Sequence, residues 1–151
     1  MRHAIAAAGF ALGLLLQACA GQTRDTPELR DAVARAALAE VGRPYRYGGT
    51  DPSGFDCSGL VQYVYAETGV RLPRATKEQR DAGKELDFDE VRPGDLLFYK
   101  IDRWFGVDHV AIYVGDGYAV HAPASGRSVV VTDMTTPFWR RHFKVGLNVL
   151  R

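Results

Sequence analysis

The hydrophobic pattern of the chain changes near Asp95 from a helical period to an alternating one, and this change limits the fold more than any other feature. Five short apolar or alternating stretches follow, separated by glycine-containing or polar turns, at residues 96–101, 109–114, 118–122, 129–132 and 145–150. Because helices come first and strands second, the order predicts an α+β domain with an antiparallel sheet.

Three helices are predicted before the strands. Thr26 is placed as an N-cap with a proline at the first helical position, and an alanine-rich helix then runs to Val41 before a glycine and a proline end it. A second helix, residues 57–68, is apolar on nearly every side and is therefore predicted to be buried. The capping-box spacing of Thr76 and Gln79 indicates a third, short helix.

The N-terminus has the composition of a secretory signal. Arg2 precedes an apolar run, residues 4–16, which is too short to span a bilayer comfortably. The stretch Leu16-Gln17-Ala18-Cys19 then resembles a bacterial lipobox, in which the cysteine is diacylated and becomes the mature N-terminus. Ordinary signal cleavage, with Cys19 as a bystander, is the alternative.

This interpretation divides the chain into a lipoprotein signal peptide at residues 1–18, a lipidated cysteine with its tether at 19–26, and a folded domain at 27–151. Ala20, rather than an aspartate, follows the cysteine, and in a Gram-negative lipoprotein this favours sorting to the outer membrane. We therefore expect a lipid-anchored protein of the cell envelope, which in a Gram-negative host lies at the outer membrane and faces the periplasm.

The charge balance argues against a nucleic-acid partner. Removal of residues 1–18 takes away one of the 19 basic residues and none of the 18 acidic ones, so the remaining chain has no net charge. A nucleic-acid binder needs an excess of Lys and Arg to neutralise phosphates, and no basic run interleaved with aromatic residues is present. We expect a monomer.

Cys57 is the candidate nucleophile. The chain has two cysteines, and lipidation of Cys19 would leave Cys57 without a structural disulfide partner. A free thiol in an oxidising compartment is either buried and inert or used for chemistry. Because Cys57 is predicted in the first turn of a helix, backbone N–H groups and the helix dipole are expected to lower its pKa from about 8.5 toward neutrality.

A cysteine nucleophile needs a base, commonly a histidine that a third group orients. Of the four histidines, His3 leaves with the signal, and His142 lies in a basic, aromatic stretch that is typical of surface or packing. His109 and His121 flank a predicted hairpin with the turn Gly115-Asp116-Gly117, and this turn places the odd-numbered residues of both strands on one face.

In that register His121 lies opposite Ala111 or opposite His109 itself, so the two imidazoles can interact directly or diagonally. The small side chains of Ala111 and Ala119 on the same face are expected to leave room for the N-terminus of the Cys57 helix. The alternative is that the two histidines are half-buried residues that only fill space.

Six stretches of the sequence stand out in order: PYRYGG, GFDCSGLV, LPRAT followed by Gln79, RPGDLLFY, DHVAIYVG and VHAP. Together they resemble the successive motifs of the NlpC-type cell-wall endopeptidases, which are bacterial papain-like cysteine peptidases. The resemblance implies a papain-like α+β fold, with N-terminal helices packed on a five- to six-stranded antiparallel sheet. It also implies cleavage of peptide stems in peptidoglycan, without a metal or other cofactor.

The resemblance implies a role for each residue of a catalytic triad. Cys57 would attack the scissile carbonyl, His109 would deprotonate the thiol and later protonate the leaving amine, and His121 would hold the His109 imidazole in the right tautomer. The Tyr45 hydroxyl would join the backbone N–H of Cys57 at the oxyanion. The alternative for Tyr45 is a packed aromatic residue in a tight loop.

Asp56, Ser58, Arg74 and Thr76 are the candidate substrate-binding residues that the resemblance implies. Thr76 could be only a helix cap, and Arg74 could be only a surface charge. Asp56 is placed to N-cap the Cys57 helix, although a carboxylate beside the thiol raises its pKa. The resemblance implies that this carboxylate pairs with the free α-amine of a stem peptide already trimmed from its sugar.

Specificity is left open by the sequence. Arg103, Trp104 and Phe105 either wall the cleft or cover the sheet edge. No room is expected for an accessory wall-binding domain, so the bond is undecided between D-glutamyl–diamino acid within a stem and D-alanyl–diamino acid across a crosslink. Two rival functions are an acyltransferase or amidase with the same cysteine and histidine layout, and an inactive lipoprotein that only binds wall peptides.

Overall fold

The computed structural model describes residues 24–104 and 106–151, so the predicted signal peptide, Cys19 and Phe105 lie outside the described residues. Within them the helices are α1 (Pro27–Ala39), α2 (Cys57–Glu67), α3 (Thr76–Arg80) and α4 (Pro137–His142), with a 3-10 turn at Phe88–Glu90. The three predicted helices are confirmed, with ends that differ by one or two residues.

The strands of the described chain form a hairpin and a larger sheet. The hairpin pairs β1 (Thr50–Asp51) with β2 (Gly54–Phe55). The sheet contains β3 (Lys84–Leu86), β4 (Leu96–Tyr99), β5 (His109–Gly115), β6 (Tyr118–His121), β7 (Val130–Asp133) and β8 (Phe143–Asn148). Its order is β3-β8-β4-β5-β6-β7, and every neighbouring pair is antiparallel. The predicted α+β class is confirmed, and the number of strands in the sheet is the larger of the five to six expected.

The sheet is covered on both faces. Helices α1 and α2 pack on the even-numbered residues of β4, β5 and β6, among them Phe98, Ile112 and Val120. The odd-numbered residues, including Ala111 and Ala119, face the other way and contact a layer that contains α4 and the 3-10 turn. Because it lies between these two layers, β4 is buried along its whole length.

The expectation that α2 packs on the face of Ala111 and Ala119 is therefore wrong. The large apolar side chains of α2, such as Leu60 and Val64, pack instead against Val110 and its even-numbered neighbours. The reason is surface area, because branched side chains on both sides bury more apolar area than a row of alanines offers. Alternation along the strands predicts which residues share a face but not which layer covers that face.

The elements that the sequence pattern does not predict include β3 and α4, besides the hairpin of β1 and β2 and the 3-10 turn. Strand β3 has three residues and α4 has six, so neither is long enough to show a period. β3 lies at the edge of the sheet and is mostly exposed. Helix α4 matters more for the active site, because its side chains reach the histidines.

The segment before α1 is bonded to the domain. The Asp25 carboxylate accepts hydrogen bonds from the side chains of Arg30, Arg92 and Asn148. The bond from Arg30 is the main reason that the pKa of Asp25 falls to about 2. Arg30 also forms a buried ion pair with Asp95 at the start of β4. Asp25, which the sequence analysis assigns to the tether, is thus bonded to the folded domain.

Candidate active site

Cys57, the candidate nucleophile, is the first residue of α2. The side chain of Asp56 caps this helix, because its Oδ1 accepts a hydrogen bond of 2.7 Å from the backbone N–H of Gly59. Gly59 is required here, since a Cβ at this position would clash with the backbone carbonyl of Gly49 in the preceding loop. Local sequence therefore places Cys57 in the first turn of α2, where the backbone N–H groups have no partners within the helix.

A bonded cluster of three polar side chains flanks the nucleophile. The guanidinium of Arg74 donates to Asp56 Oδ2 at 2.6 Å and to Ser58 Oγ at 2.8 Å, and the backbone N–H of Gly48 donates to the same Asp56 oxygen at 3.1 Å. Arg74 is therefore not merely a surface charge. The structure brings these three predicted substrate-binding residues together beside Cys57.

Thr76 and Gln79 do not form the predicted capping box. Ala75 is the N-cap of α3, and Thr76 is the first helical residue, with its Oγ1 3.8 Å from the sulfur of Cys57. The side chain of Gln79 is fully buried and donates to the backbone carbonyls of Ser58 and Pro73. Gln79 thus joins α2 to the segment that carries Arg74.

The pKa of the Cys57 thiol is raised above its ordinary value, contrary to the expectation from helix position. Burial is the largest cause, and the charge of Asp56 acts in the same direction. Hydrogen bonds from Thr76 and from the backbone N–H groups of Val110 and Ser58 oppose the rise without cancelling it. The resting residue is therefore a thiol rather than a thiolate.

His109 and His121 form the predicted pair. Ile112 lies opposite Val120 across β5 and β6, so Ala111 lies opposite His121 and His109 lies on the diagonal. The two imidazoles are 2.9 Å apart between His109 Nε2 and His121 Nδ1.

The histidine pair extends to a third strand and is kept neutral by burial. The distance from His121 Nε2 to the hydroxyl oxygen of Thr132, on β7, is 2.8 Å. His109 is 7% exposed and His121 is 2% exposed. Burial lowers the pKa of His109 to about 4, and burial together with the neighbouring His109 lowers the pKa of His121 to about 3. Both imidazoles are therefore neutral at neutral pH and can accept a proton.

Trp139 of α4 packs against both histidines, and sequence reasoning missed it. The Trp139 ring centroid is 5.9 Å from that of His109, 5.2 Å from that of His121 and 4.9 Å from that of Tyr99. The sequence around Trp139 is basic and aromatic, a pattern typical of surface or packing. Its proximity follows from the fold, because α4 folds back across the odd-numbered face of the sheet.

Cys57 lies beside the beginning of β5, the strand whose first residue is His109. The backbone N–H of Val110, the residue that follows His109, lies near enough to the thiol of Cys57 to act on its pKa. His109 uses Nε2 for the bond to His121, which leaves Nδ1 for proton transfer with the thiol. Tyr45 packs in the same apolar cluster as Cys57, and burial raises the pKa of its phenol, so the hydroxyl stays protonated and can donate.

The sequence profile of the NlpC/P60 family matches residues 42–148, a segment that contains the complete site described above. The chain belongs to the NlpC/P60 family. The expected family is thereby confirmed.

Curated relatives support this membership. Murein DD-endopeptidase MepH of Escherichia coli K12 is 38% identical over 111 residues, which cover 70% of this chain and 41% of MepH. The bifunctional muramidase/DL-endopeptidase CwlT of Bacillus subtilis is 40% identical over 114 residues, which cover 74% of this chain and 34% of CwlT. This NlpC/P60 chain thus spans less than half the length of either relative.

Solved structures confirm the fold. An NLP/P60 family protein from Staphylococcus aureus, described as similar to lipoprotein, superposes with a TM-score of 0.75 at 33% identity over 87% of this chain and 45% of that chain. The NlpC/p60 domain of the peptidoglycan hydrolase SagA gives a TM-score of 0.69 at 37% identity over 79% of this chain and 97% of that domain.

The rim beside His109 in this NlpC/P60 domain carries a groove of about 420 Å³, lined by Ile101, Asp102, Asp108, His109 and Pro123. The indole of Trp104 is 81% exposed, and the Arg103 guanidinium lies over it at 5.6 Å. Trp104 therefore does not cover the sheet edge.

Two further features concern the described residues as a whole. They contain no group of three or more His, Cys, Asp or Glu residues with the geometry to hold a metal ion. None of their helices combines the length and the apolar composition needed to cross a membrane.

Proposed function

We propose that the protein is a cysteine endopeptidase that hydrolyses peptide bonds in the stems or crosslinks of peptidoglycan. The observation that carries the proposal is the hydrogen-bonded pair of His109 and His121. His109 is the first residue of β5, and the backbone of the next residue, Val110, lies beside the thiol of Cys57 at the start of α2. A nucleophile, a base and a group that orients the base are the parts that covalent catalysis by cysteine requires. The named activities of MepH and CwlT support the choice of substrate.

The first step follows from the neutral resting state. As Cys57 Sγ attacks the carbonyl carbon, His109 Nδ1 takes the thiol proton, so thiolate and imidazolium form only during attack. The tetrahedral oxyanion then accepts hydrogen bonds from the Tyr45 hydroxyl and the backbone N–H of Cys57. His109 passes its proton to the leaving amine, and a thioester remains on Cys57.

Water completes the cycle. His109 Nδ1 removes a proton from a water molecule that attacks the thioester carbonyl, and the thiol leaves with that proton. In both half-reactions a positive charge appears on a buried imidazole. His121 Nδ1 stabilises this charge because it accepts the Nε2–H of His109 at 2.9 Å.

We also propose that the cluster of Asp56, Ser58 and Arg74 binds the amino end of the substrate. Arg74 and the backbone N–H of Gly48 bind Asp56 Oδ2, and Oδ1 caps α2. Asp56 Oδ1 also accepts a longer bond of 3.4 Å from the Ser58 hydroxyl, so the roughly four lone-pair sites of the carboxylate are filled. A substrate ammonium therefore binds by taking the place of the Ser58 hydroxyl on Oδ1. This supports a preference for stems with a free α-amine.

The decisive experiment is digestion of defined muropeptides, with products identified by mass spectrometry and Cys57→Ser as the control. Stems with a D-glutamyl–diamino acid bond and dimers with a D-alanyl–diamino acid crosslink are tested separately, each with a free and an acylated amino end. New amino termini that are absent with Cys57→Ser support a peptidase. Transfer of an acyl group to an amine indicates the acyltransferase, release of ammonia from amidated side chains indicates the amidase, and retention without cleavage indicates a binder.

We further propose that diacylation of Cys19 anchors the protein to the membrane, at the outer membrane of a Gram-negative host. The lipobox-like stretch and the anchoring of Asp25 to the domain support a short tether between lipid and catalytic domain. Cys19→Ala should move the protein to the soluble fraction of lysed cells. A variant that stays in the membrane fraction, or a native mature N-terminus elsewhere, would contradict the anchor.

A further inference from the structure

The hydrogen-bond chain of the active site does not end at His121. His121 pairs with Val130 across β6 and β7, so Thr132 lies on the diagonal and on the same face of the sheet. The distance of 2.8 Å between His121 Nε2 and Thr132 Oγ1 is that of a hydrogen bond. Thr132 lies outside the six sequence motifs, in a strand that begins nine residues after the last histidine of the pair.

Proton transfer to His109 fixes which group donates in each hydrogen bond between His109, His121 and Thr132. Once His109 has taken the thiol proton, both of its ring nitrogens carry hydrogen, and Nε2–H must donate to His121 Nδ1. His121 therefore holds its own hydrogen on Nε2, which faces Thr132 Oγ1. In the resting enzyme the hydroxyl can either donate or accept, but in the charged state it has to accept.

The opposite tautomer would be inactive. If His121 carried its hydrogen on Nδ1, it would donate to His109 Nε2, and the hydrogen of His109 would then lie on Nδ1. His109 would present an N–H group to the thiol and could not act as a base. Once His109 is protonated, Thr132 Oγ1 can only accept, and it then stabilises the His121 tautomer that the reaction uses.

We propose that Thr132 is a positioning residue, which sets the tautomer of His121 and supports the imidazolium of His109 through a chain across three strands. This inference rests on the proposed hydrolase function for its kinetic part. Its spectroscopic part does not, because the tautomers of the histidines exist without substrate. No reaction step is assigned to Thr132 itself.

The kinetic test compares Thr132→Val with Thr132→Ser, and Thr135→Val is the matched control. Thr135 follows the same strand, and its exposed hydroxyl bonds only to Asp133, away from the histidines. Thr132→Val leaves a buried N–H without an acceptor in the charged state, so we expect kcat to fall about 10- to 100-fold with little change in KM. Thr132→Ser should stay within about 3-fold of wild type, and Thr135→Val should not change kcat.

The spectroscopic test records long-range proton–nitrogen NMR correlations of the histidine rings in wild type and variants. Wild type and Thr132→Ser should show Nε2–H on both His109 and His121, and Thr132→Val should lose this pattern. An unchanged kcat together with unchanged tautomers in Thr132→Val would overturn the proposal, as would equal kcat losses in the Val and Ser variants. If wild type cleaves no stem peptide, the proposed function fails, and the tautomers alone decide the role of Thr132.

Discussion

The two halves of the active site are held in different ways. The nucleophile half, at the start of α2, is a polar network in which Asp56, Ser58 and Arg74 bond to one another and to the backbone. The base half, on β5 and β6, is a buried histidine pair under aromatic rings, with a single hydrogen-bond chain. A substitution in the nucleophile half therefore leaves several hydrogen bonds of the network in place. A substitution in the base half breaks the only hydrogen-bond chain described there.

Burial shifts the pKa values of Cys57 and His109, one in each half, in opposite directions. It raises the pKa of Cys57 and lowers the pKa of His109 to about 4, so each group is neutral before substrate binds. The nucleophile half contains donors that stabilise the thiolate as it forms. The base half stabilises the imidazolium through the single hydrogen-bond chain from His121 to Thr132, which makes it the more sensitive half.

Removal of the reacting group from either half should have the largest effect. Cys57→Ala and His109→Ala should each lower kcat/KM at least about 1,000-fold on a defined muropeptide, because nucleophile and base act as a unit. Their stabilities should differ, since only His109→Ala opens a cavity beside Tyr99 and Trp139. Thermal denaturation should show a lower Tm for His109→Ala, and equal Tm values would contradict the contrast between the halves.

Loss of the orienting group should have the second largest effect. His121→Ala should lower kcat about 100-fold, because the Nε2–H of His109 then lacks its acceptor. His121→Asn and His121→Gln should retain more activity, since a side-chain oxygen can accept this bond. Steady-state kinetics of the three variants measure the difference, and equal activity of the Ala and Asn variants would show that His121 only fills space.

Asp56→Asn tests the polar half. We expect KM to rise several-fold for stems with a free α-amine and to change little for N-acylated stems, because only the former need the carboxylate charge. Sequence reasoning alone predicts an unchanged Tm, since Asn caps a helix as well as Asp. The structure predicts a Tm lowered by a few degrees, because an amide group in place of Oδ2 would face the donors Arg74 and Gly48.

Asp51→Asn is the matched control for this variant. Asp51 also pairs with an arginine, Arg46, but both side chains are more than half exposed. The control should change neither KM nor Tm measurably. If Asp56→Asn affects both substrate classes equally, or affects neither, Asp56 serves only as a helix cap.

The smallest expected effect concerns the free enzyme. Because the pKa of Cys57 is raised, the fraction of thiolate at neutral pH is smaller than for an exposed cysteine. The rate of alkylation by iodoacetamide should therefore increase with pH and reach its midpoint above about 8.5. A midpoint near neutrality would mean that the helix N-terminus outweighs burial, and Cys57 would then be partly a thiolate in the free enzyme.

Several features of the site are predictable from sequence because they depend on neighbouring residues. The beginning of α2 at Cys57 follows from the capping by Asp56 of a helix whose apolar pattern is continuous. The shared face of His109 and His121 follows from the short turn between their strands and the alternation of side chains. The α+β class follows from the order of the periods along the chain.

Only the tertiary structure decided what surrounds these residues. Contacts between distant segments placed α2 on the even-numbered face, brought Trp139 of α4 against the histidines, and set Thr132 of β7 beside His121. They also reversed the expected pKa of the thiol, because burial depends on all the layers that pack around a group. Helix capping and strand alternation depend on a few neighbouring residues. The burial of a side chain and its bonding partners depend instead on how segments that are distant in the sequence pack together.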